Sequence, residues 1–280
     1  MQTLWRSLEP VFTGGDIAKQ MPIQAKAFAG IDKTWMRCME KSFETKKVLF
    51  CCELDLLKDN LPDMQKKLEE CQKLLEAYLE GKRKLFPRFY FVSNPDLLKI
   101  LSQGSEPTSI QEDFEKLFDA ITRVEFGKSD KKGSADKTIT TIIQDGGGTE
   151  KVPLVTHVKC EGNIESWLRS LEKEMQETMR EHCRNAAAQV MTQPLEAFVK
   201  STLSQVSLMG IQLLWTQKIT EALEKSQKEN KGAMESKKKE IERMLQELTN
   251  LCLQPIPTNL ERTKIETLVT VHVHQRDITV

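Results

Sequence analysis

The stretch that most constrains the fold is residues 82–103, KRKLFPRFYFVSNPDLLKILSQ, in which a proline interrupts a cluster of aromatic side chains. Only 6% of the whole chain is aromatic, so large apolar side chains are concentrated here. Proline restricts the residue before it to extended geometry and ends a helix that arrives from the N-terminal side. We therefore expect a sharp turn in which the rings pack as a joint between two helices. The joint residues are Phe86, Pro87, Arg88, Phe89, Tyr90 and Phe91.

A new helix is expected directly after this joint. Asn94 is the predicted N-cap, and Pro95 then occupies the first helical position. Arg88 lies among the aromatic residues and has two possible arrangements: a cation–π contact with Phe89 or Tyr90, or an ion pair with a carboxylate across the joint. Both are structural roles, and nothing in the joint is chemically reactive.

Helical periodicity dominates most of the remaining chain. One apolar seam follows a three-four alternation that only Lys82 interrupts; its members are Leu61, Met64, Leu68, Cys71, Leu75, Tyr78 and Leu85. A seam this narrow predicts a long helix packed along another helix. A free-standing coiled-coil dimer is the less favoured alternative, because the repeat ends at Pro87.

Other core-facing helical positions are predicted in the same way. An early helix is expected to bury Trp35, Met36, Met39 and Phe43. A later one is expected to bury Val206, Met209, Leu213, Ile219 and Leu223. Between them, Glu172, Glu174, Glu177 and Glu181 alternate with basic residues, as a solvated helix face would. Thr258 is the predicted cap of the last helix.

Helical periodicity stops at residues 138–158. Residues 138–143, TITTII, are β-branched throughout, and residues 152–158, VPLVTHV, alternate apolar with polar. The pattern predicts a β-hairpin inserted into a helical protein, with Pro153 on an edge strand. Two strands alone are marginal in water, so this hairpin is the best candidate contact element. The candidate contact residues are Ile143, Asp145, Gly146, Gly147, Gly148 and Glu150.

Composition narrows the classes of partner. The 41 basic residues balance the 41 acidic ones, and this favours neither a nucleic acid nor an anionic membrane. No apolar run has the length of a membrane-spanning helix. The seven cysteines have no framework spacing, so we expect reduced thiols in the cytosol.

Motifs for catalysis, cofactors and metals are missing from the sequence. The phosphate-binding Gly-x-x-x-x-Gly-Lys-Ser/Thr loop does not occur, and Thr149 and Glu150 follow the glycine cluster instead of lysine. The histidines and cysteines lack zinc-site spacing. We therefore expect no catalytic, cofactor-binding or metal-binding residue, and no enzyme activity in this segment.

These patterns predict a mainly α fold, an elongated multi-helix bundle with one inserted β-hairpin. The expected divisions are an N-terminal helical part at residues 1–134, the hairpin insert at 135–160, and a C-terminal helical bundle at 161–280. By themselves these patterns leave open a helical scaffold or tethering protein that is not a motor, and an enzyme with an unrecognised site.

Four blocks of the sequence resemble the linker region of dynein heavy chains, which lies just N-terminal to the ring of AAA+ modules. The most specific is YLEGKRKLFPRFYFVSNPDLLKILSQ at residues 78–103. SLEPVFTGGDIAKQMP at 7–22 resembles an earlier linker block, and GNIESWLRSLEKEM at 162–175 and VSLMGIQLLWT at 206–216 resemble later blocks, in the expected order. The resemblance covers nearly the whole chain and implies a segment of a much longer polypeptide.

The resemblance implies a lever that bends and straightens over the AAA+ ring, so that ATP hydrolysis elsewhere in the chain produces movement along microtubules. ATP and Mg would belong to the AAA+ modules of the intact protein. Bending is expected where helices are interrupted, near Pro87, residues 104–108 or the loop that begins at Gly127. The hairpin would face the ring, although Gly146, Gly147 and Gly148 replace the acidic loop expected there.

The implied partners are the AAA+ ring of the same heavy chain, the microtubule indirectly, dynein light and intermediate chains, and other heavy chains. Neither nucleic acid nor membrane is expected. The implied location is the cytoplasm and cytoskeleton. VSNPDLLKILSQGSEP and MGIQLLWT favour an axonemal dynein of a cilium or flagellum, with a cytoplasmic transport dynein as the alternative.

Overall fold

The computed structural model describes residues 1–104, 106–127, 137–146, 148–228, 232–255 and 258–279. Ser105 and residues 128–136, which belong to two of the predicted bending segments, lie outside this described part. The α-helices are α1 (Gln2–Phe12), α2 (Gly15–Gln20), α3 (Pro22–Thr45), α4 (Val48–Cys52), α5 (Asp55–Leu85), α6 (Asn94–Ser102), α7 (Phe114–Leu117), α8 (Ile164–Gln189), α9 (Leu195–Ser201), α10 (Ser204–Lys228), α11 (Ala233–Cys252) and α12 (Asn259–Ile278). Short 3₁₀ helices span Pro87–Phe91 and Pro107–Asp113, and the strands are β1 (Arg123–Phe126), β2 (Thr138–Asp145) and β3 (Thr149–Lys159). The predicted class, mainly α with an inserted hairpin, is confirmed.

The chain forms two compact units. The first contains Met1–Ala120 and Lys159–Arg169, and the second contains Ile121–Val158 and Ser170–Val280. These units are defined by which residues pack together, whereas the predicted boundaries at residues 134 and 160 lie where the secondary structure is expected to change. The sequence-based division therefore stays a prediction.

The long helices α3 and α5 pack together in the first unit. The buried face of α3 consists of Phe28, Ile31, Trp35 and Cys38, and the Phe28 ring stacks on Phe12 of α1 at 5.7 Å. The prediction that Met36 and Phe43 face the core is wrong, since they are 58% and 79% exposed. The three-four alternation that is buried passes through Trp35 but begins at Phe28, which places Met36 and Phe43 on another side of the helix.

The predicted seam of α5 is confirmed over its central part, where Met64, Leu68, Cys71 and Leu75 are buried. It then continues through Leu79, Lys82 and Phe86, not through Tyr78 and Leu85. Steps of four and three residues from Leu75 lead to these positions, so the lysine lies on the buried stripe itself. Lys82 thus interrupts the apolar character of the seam, as predicted, but not its burial.

Helix α6 begins one residue earlier than predicted. Ser93 is its N-cap, and the Ser93 hydroxyl accepts a hydrogen bond from the backbone nitrogen of Asp96 at 3.3 Å. Asn94 is the first helical residue, so its assignment as the cap is wrong. Next along the chain, a 3₁₀ helix and the short α7 bury Ile110, Phe114 and Leu117.

Three strands, not two, form the sheet, in the order β1-β2-β3. Strand β1 pairs antiparallel with β2, and Arg123 lies opposite Ile143. The sequence analysis missed β1 because four residues, RVEF, carry too short an alternation to be recognised. The additional strand supplies part of the partner surface that a two-stranded hairpin lacks.

Two side chains of helix α8 bind backbone amides of β3. The backbone nitrogens of Val155 and Thr156 donate to Thr178 Oγ1 at 3.1 Å and to Glu174 Oε1 at 2.7 Å. Glu174, predicted on a solvated helix face, is half-buried and also binds the strand backbone. An exposed strand edge invites pairing with another chain, and these two side chains occupy two backbone donors of β3.

The helical core of the second unit surrounds Phe198, which is fully buried. Helix α10 contributes Val206, Ile211 and Leu214 to this cluster. Leu213 and Leu223 are each 48% exposed, so the prediction that they point inward is wrong. Thr258 caps α12 as predicted, since its hydroxyl accepts from the Glu261 nitrogen at 3.2 Å. None of the described helices is long and apolar enough to cross a membrane.

Candidate functional site

The aromatic joint divides its rings between core and surface. Phe86 and Phe89 are fully buried and meet edge to face, with centroids 5.0 Å apart. Tyr90 is 53% exposed and Phe91 84% exposed, so only part of the predicted ring cluster packs inside. Pro87 begins a 3₁₀ helix, which places Phe86 and Phe89 on one side of the turn. The buried part of the joint therefore contains two of these rings, Phe86 and Phe89.

Arg83 fixes the turn from the last part of α5. Its Nε donates to the carbonyl of Phe89 at 3.2 Å, and its Nη2 donates to the carbonyl of Val92 at 2.9 Å. Both acceptors lie beyond the proline that ends the helix. One guanidinium thus ties the end of α5 to the segment that leaves the joint.

Arg88 makes a cation–π contact, but with a different ring from those predicted. Its guanidinium lies 4.9 Å from the centroid of Phe118, and its Nη1 donates to the carbonyl of Leu117 at 3.4 Å. The ring comes from a segment about thirty residues later in the chain. Such a pairing depends on tertiary structure, and local sequence contains no signal for it.

A buried ion pair lies one turn before the joint. Lys82 Nζ donates to Glu165 Oε1 at 2.6 Å, and the side chains are 10% and 5% exposed. Glu165 belongs to the first turn of α8, where a carboxylate also interacts favourably with the positive end of the helix dipole. Burial without a partner would strongly disfavour either charge, so each one determines where the other can lie.

Tyr78 extends this polar cluster. The Lys82 ammonium lies 5.3 Å from the centroid of the Tyr78 ring, and the Tyr78 hydroxyl donates to Gln20 Oε1 at 2.7 Å. Burial raises the pKa of Tyr78 far above its usual value, and the nearby carboxylates of Glu165 and Asp16 act in the same direction. The phenol therefore stays protonated and remains a hydrogen-bond donor. The cluster connects α2, α5 and the start of α8 within the first unit.

Sequence analysis missed Lys82, Glu165 and Arg83 as parts of this site. Two of them carried a usable signal. A lysine at a seam position of a long apolar stripe needs a buried counter-charge. A glutamate among Ile164, Trp167 and Leu168 is a suitable source of that charge. Their mutual contact joins residues 83 positions apart, which the sequence does not reveal.

The predicted contact hairpin lies in the second unit. Ile143 is 1% exposed and belongs to the core, and its carbonyl accepts from the Thr122 nitrogen at 3.0 Å. Asp145 binds Arg123 Nε at 2.5 Å and accepts from Thr149 Oγ1 at 2.7 Å. The hydrogen bond from Arg123 and then that from Thr149 lower the pKa of Asp145 to about 2. Asp145 therefore remains an anion that fastens the turn to β1.

The tip of the hairpin meets the starts of two helices. Glu150 Oε1 accepts from both the nitrogen and Oγ of Ser204, at 2.8 and 2.9 Å, at the first residue of α10. Gly148 has φ +148°, and a Cβ there would lie 2.6 Å from Cβ of Leu260 in α12. Gly146 has open space around it, with Gln144 Nε2 3.9 Å from its Cβ position, and Gly147 lies outside the described residues. The tip is thus occupied by contacts within its own unit.

Among the described residues, no group of three or more histidine, cysteine, aspartate or glutamate side chains could hold a metal ion. All seven cysteines are free thiols. The candidate sites are three sets of structural contacts: a two-ring joint, a buried ion pair and a braced hairpin. The expectation of no cofactor or metal site stays a prediction.

Comparison with known proteins gives a consistent result. Residues 1–186 match the family model described as dynein heavy chain, N-terminal region 2. Dynein axonemal heavy chain 5 of Rattus norvegicus is 42% identical over 283 residues, covering 99% of this chain and 8% of the relative. The gamma chain of the flagellar outer arm dynein of Chlamydomonas reinhardtii is 38% identical over 281 residues, covering 100% of this chain and 6% of the relative.

A human relative, dynein axonemal heavy chain 8, is 39% identical over 281 residues and covers 99% of this chain. The chain belongs to the dynein heavy chain family. It spans only about 6–8% of the length of the relatives named here.

Proposed function

We propose that this chain is the mechanical linker of a dynein heavy chain. The linker bends and straightens over the AAA+ ring and converts ATP hydrolysis elsewhere in the heavy chain into movement along microtubules. The observation that carries the proposal is the joint at the end of the 31-residue helix α5, where Phe86, Phe89 and Arg83 fix the direction of the leaving chain. A lever requires long stiff elements connected at a few defined joints.

Family membership favours this function over a scaffold unconnected to a motor. ATP and Mg would be bound by AAA+ modules outside this segment, whose sequence lacks the Gly-x-x-x-x-Gly-Lys-Ser/Thr motif. The intact protein would be a microtubule motor ATPase. Its partners would be its own AAA+ ring, light and intermediate chains, other heavy chains and, indirectly, the microtubule.

The axoneme of a cilium or flagellum is the proposed location. The names of the relatives support it, since they are axonemal heavy chains and a flagellar outer arm chain. The proposal would predict that antibodies against the chain label motile cilia, and that salt extraction of axonemes releases it. Labelling confined to the cell body would contradict the axonemal location.

Contact between the hairpin and the ring remains part of the proposal. Asp145 and Glu150 are engaged with Arg123 and Ser204, so their charges are not available without breaking those bonds. A ring contact would then use exposed groups such as Gly146 and Lys151. Lys151 is itself paired with Glu125 at 2.6 Å, although both side chains are well exposed and the pair is weak.

The test is a distance measurement in the intact heavy chain. A donor dye at the exposed residue Phe91, as Phe91→Cys, and an acceptor on the AAA+ ring should change their transfer efficiency between the nucleotide-free and ATP-vanadate states. A donor and an acceptor both placed in the first unit, at Lys19 and Lys67, should show no change and serve as control. An unchanged distance between linker and ring in an enzyme that still hydrolyses ATP would contradict the lever.

A further inference from the structure

The Lys82–Glu165 pair is isolated from solvent and from other charges at hydrogen-bonding distance. Its members belong to α5 and to the first turn of α8, and 83 residues separate them in the chain. Lys82 is 8% exposed and Glu165 5% exposed as whole residues. By comparison, the pairs Lys99–Asp113, Lys116–Asp113 and Lys218–Glu240 each have at least one side chain exposed by about a quarter or more.

The pair is incompletely satisfied in this arrangement. Glu165 Oε2 is buried and has no hydrogen-bond partner among the described residues. The ammonium of Lys82 also faces the ring of Tyr78, whose hydroxyl is already engaged with Gln20. Asp16 is the other carboxylate close enough to act on Tyr78, and its own near partner is Lys19 at 3.0 Å. The closed contact therefore leaves part of the carboxylate's hydrogen-bonding capacity unused.

A contact of this kind differs physically from an apolar one. When two apolar faces separate, the free energy rises in proportion to the area exposed, and the open state is unfavourable. When a buried ion pair separates fully, both charges recover their hydration, which offsets much of the lost attraction. A partly opened pair, dehydrated and separated, is the costly arrangement. The contact therefore favours two positions, closed or fully open.

We propose that Lys82 and Glu165 form a two-position clamp, which holds the first turns of α8 on α5 and releases them as a unit when the linker changes shape. The proposal rests on the lever function proposed above. The clamp residues position a helix and take no part in nucleotide chemistry. An apolar pair of similar size in their place would hold the same contact but would lack the hydrated open position.

Amide hydrogen exchange in the full 280-residue chain tests the clamp. The probes are the backbone amides of Leu168 and Arg169, in the second turn of α8. Lys82→Met leaves the Glu165 carboxylate buried without its counter-charge and should speed their exchange by at least about tenfold. The double variant Lys82→Met with Glu165→Leu should return exchange to the rate of the unaltered chain or below it.

Lys67→Met is the matched control. It removes an ion pair of the same 2.6 Å length from the same helix, between Lys67 and Asp63, but both side chains are more than half exposed. Exchange at Leu168 and Arg169 should stay within about twofold. If Lys82→Met fails to fold, amide exchange in the double variant alone tests the clamp. Exchange in the double variant faster than in the unaltered chain would overturn the clamp.

Motility distinguishes a clamp from a contact that only packs. In the intact heavy chain, the double variant should glide microtubules at least about threefold more slowly, because the apolar pair resists release. Gliding at the unaltered velocity would overturn the clamp. If the dye pair described above shows no movement of the linker in the unaltered protein, the lever fails, while the exchange cycle still reports separately on the ion pair.

Discussion

Glu150 closes the N-terminal end of α10, since its Oε1 accepts from both the backbone nitrogen and the hydroxyl of Ser204, at 2.8 and 2.9 Å. The carboxylate comes from β3, 54 residues earlier in the chain, and does the work of a helix cap. A negative charge at this end also stabilises the helix through a favourable interaction with its dipole. The hairpin is thereby fastened to a helix of its own unit.

Glu150→Ala should lower the free energy of unfolding by about 1–2 kcal/mol, the usual effect of removing a cap. Urea unfolding followed by circular dichroism measures it. Glu224→Ala is the matched control, because Glu224 is an exposed glutamate of the same helix, and its removal should change the free energy by less than about 0.5 kcal/mol. Equal effects of the two substitutions would show that Glu150 does not act as a cap.

Gly148 should be intolerant of any side chain. Its φ of +148° is unfavourable for other residues, and an added Cβ would meet Leu260 at 2.6 Å. Gly148→Ala should therefore destabilise the chain by about 1–3 kcal/mol and disturb the contact between the hairpin tip and α12. Gly146→Ala should be nearly neutral, because its Cβ would meet only the end of a flexible glutamine side chain at 3.9 Å. Thermal unfolding of the two variants compares them directly, and similar losses would refute the contact.

The two rings that flank Tyr90 should differ sharply in their effect on stability. Phe89→Ala removes a fully buried ring from the joint and should cost about 3–5 kcal/mol. Phe91→Ala removes a ring that is 84% exposed and should cost less than about 0.5 kcal/mol. Denaturant midpoints measured at equal slope provide the comparison. A costly Phe91→Ala would mean that this ring packs inside, contrary to the structure.

His272 should make the stability of the second unit depend on pH. It is 2% exposed and lines a small cavity together with Lys218, Lys237 and Glu240, and burial lowers the pKa of His272. A proton therefore binds the unfolded chain more readily. The contribution of the neutral imidazole is complete above about pH 6.5, the pKa of an unfolded histidine, and declines as the pH falls below it.

Unfolding free energies at about pH 7.5 and 5.5 test this dependence on His272, since most carboxylates titrate below that interval. His272→Gln should reduce the loss of stability on acidification. His274→Gln should leave it as it is, because His274 is exposed on the same helix. If the loss persists in His272→Gln and disappears in His274→Gln, the buried histidine is not its source.

Local signals predicted elements well where one pattern repeated over several turns. The central seam of α5, the cap at Thr258 and the two long strands all appear where the sequence places them. Prediction failed at the ends of such patterns. Leu85 fits a helical spacing, yet it is 53% exposed because the buried stripe turns instead towards Lys82 and Phe86. Periodicity identifies an apolar face but not which of two neighbouring stripes another element will cover.

The candidate sites also combine features that the sequence predicts with features that it does not. Proline and the clustered rings predict the joint from the sequence, but no local sequence feature distinguishes buried Phe89 from exposed Phe91. The glycines announce a turn, but its closeness to Leu260 depends on where α12 lies. For Arg88, the aromatic neighbours along the chain suggested a cation–π contact, and the ring it meets is Phe118.

By itself, the sequence determined the class of the fold, the position of the joint and the family to which the chain belongs, because helical periodicity, proline and long motifs are local properties of the chain. Tertiary structure alone decided that Lys82 meets Glu165 and that Glu150 meets Ser204. Each of these contacts joins residues more than fifty positions apart. A charged residue at an apolar seam position indicates that a buried partner of opposite charge is needed, but only the packing of the helices determines which residue is that partner.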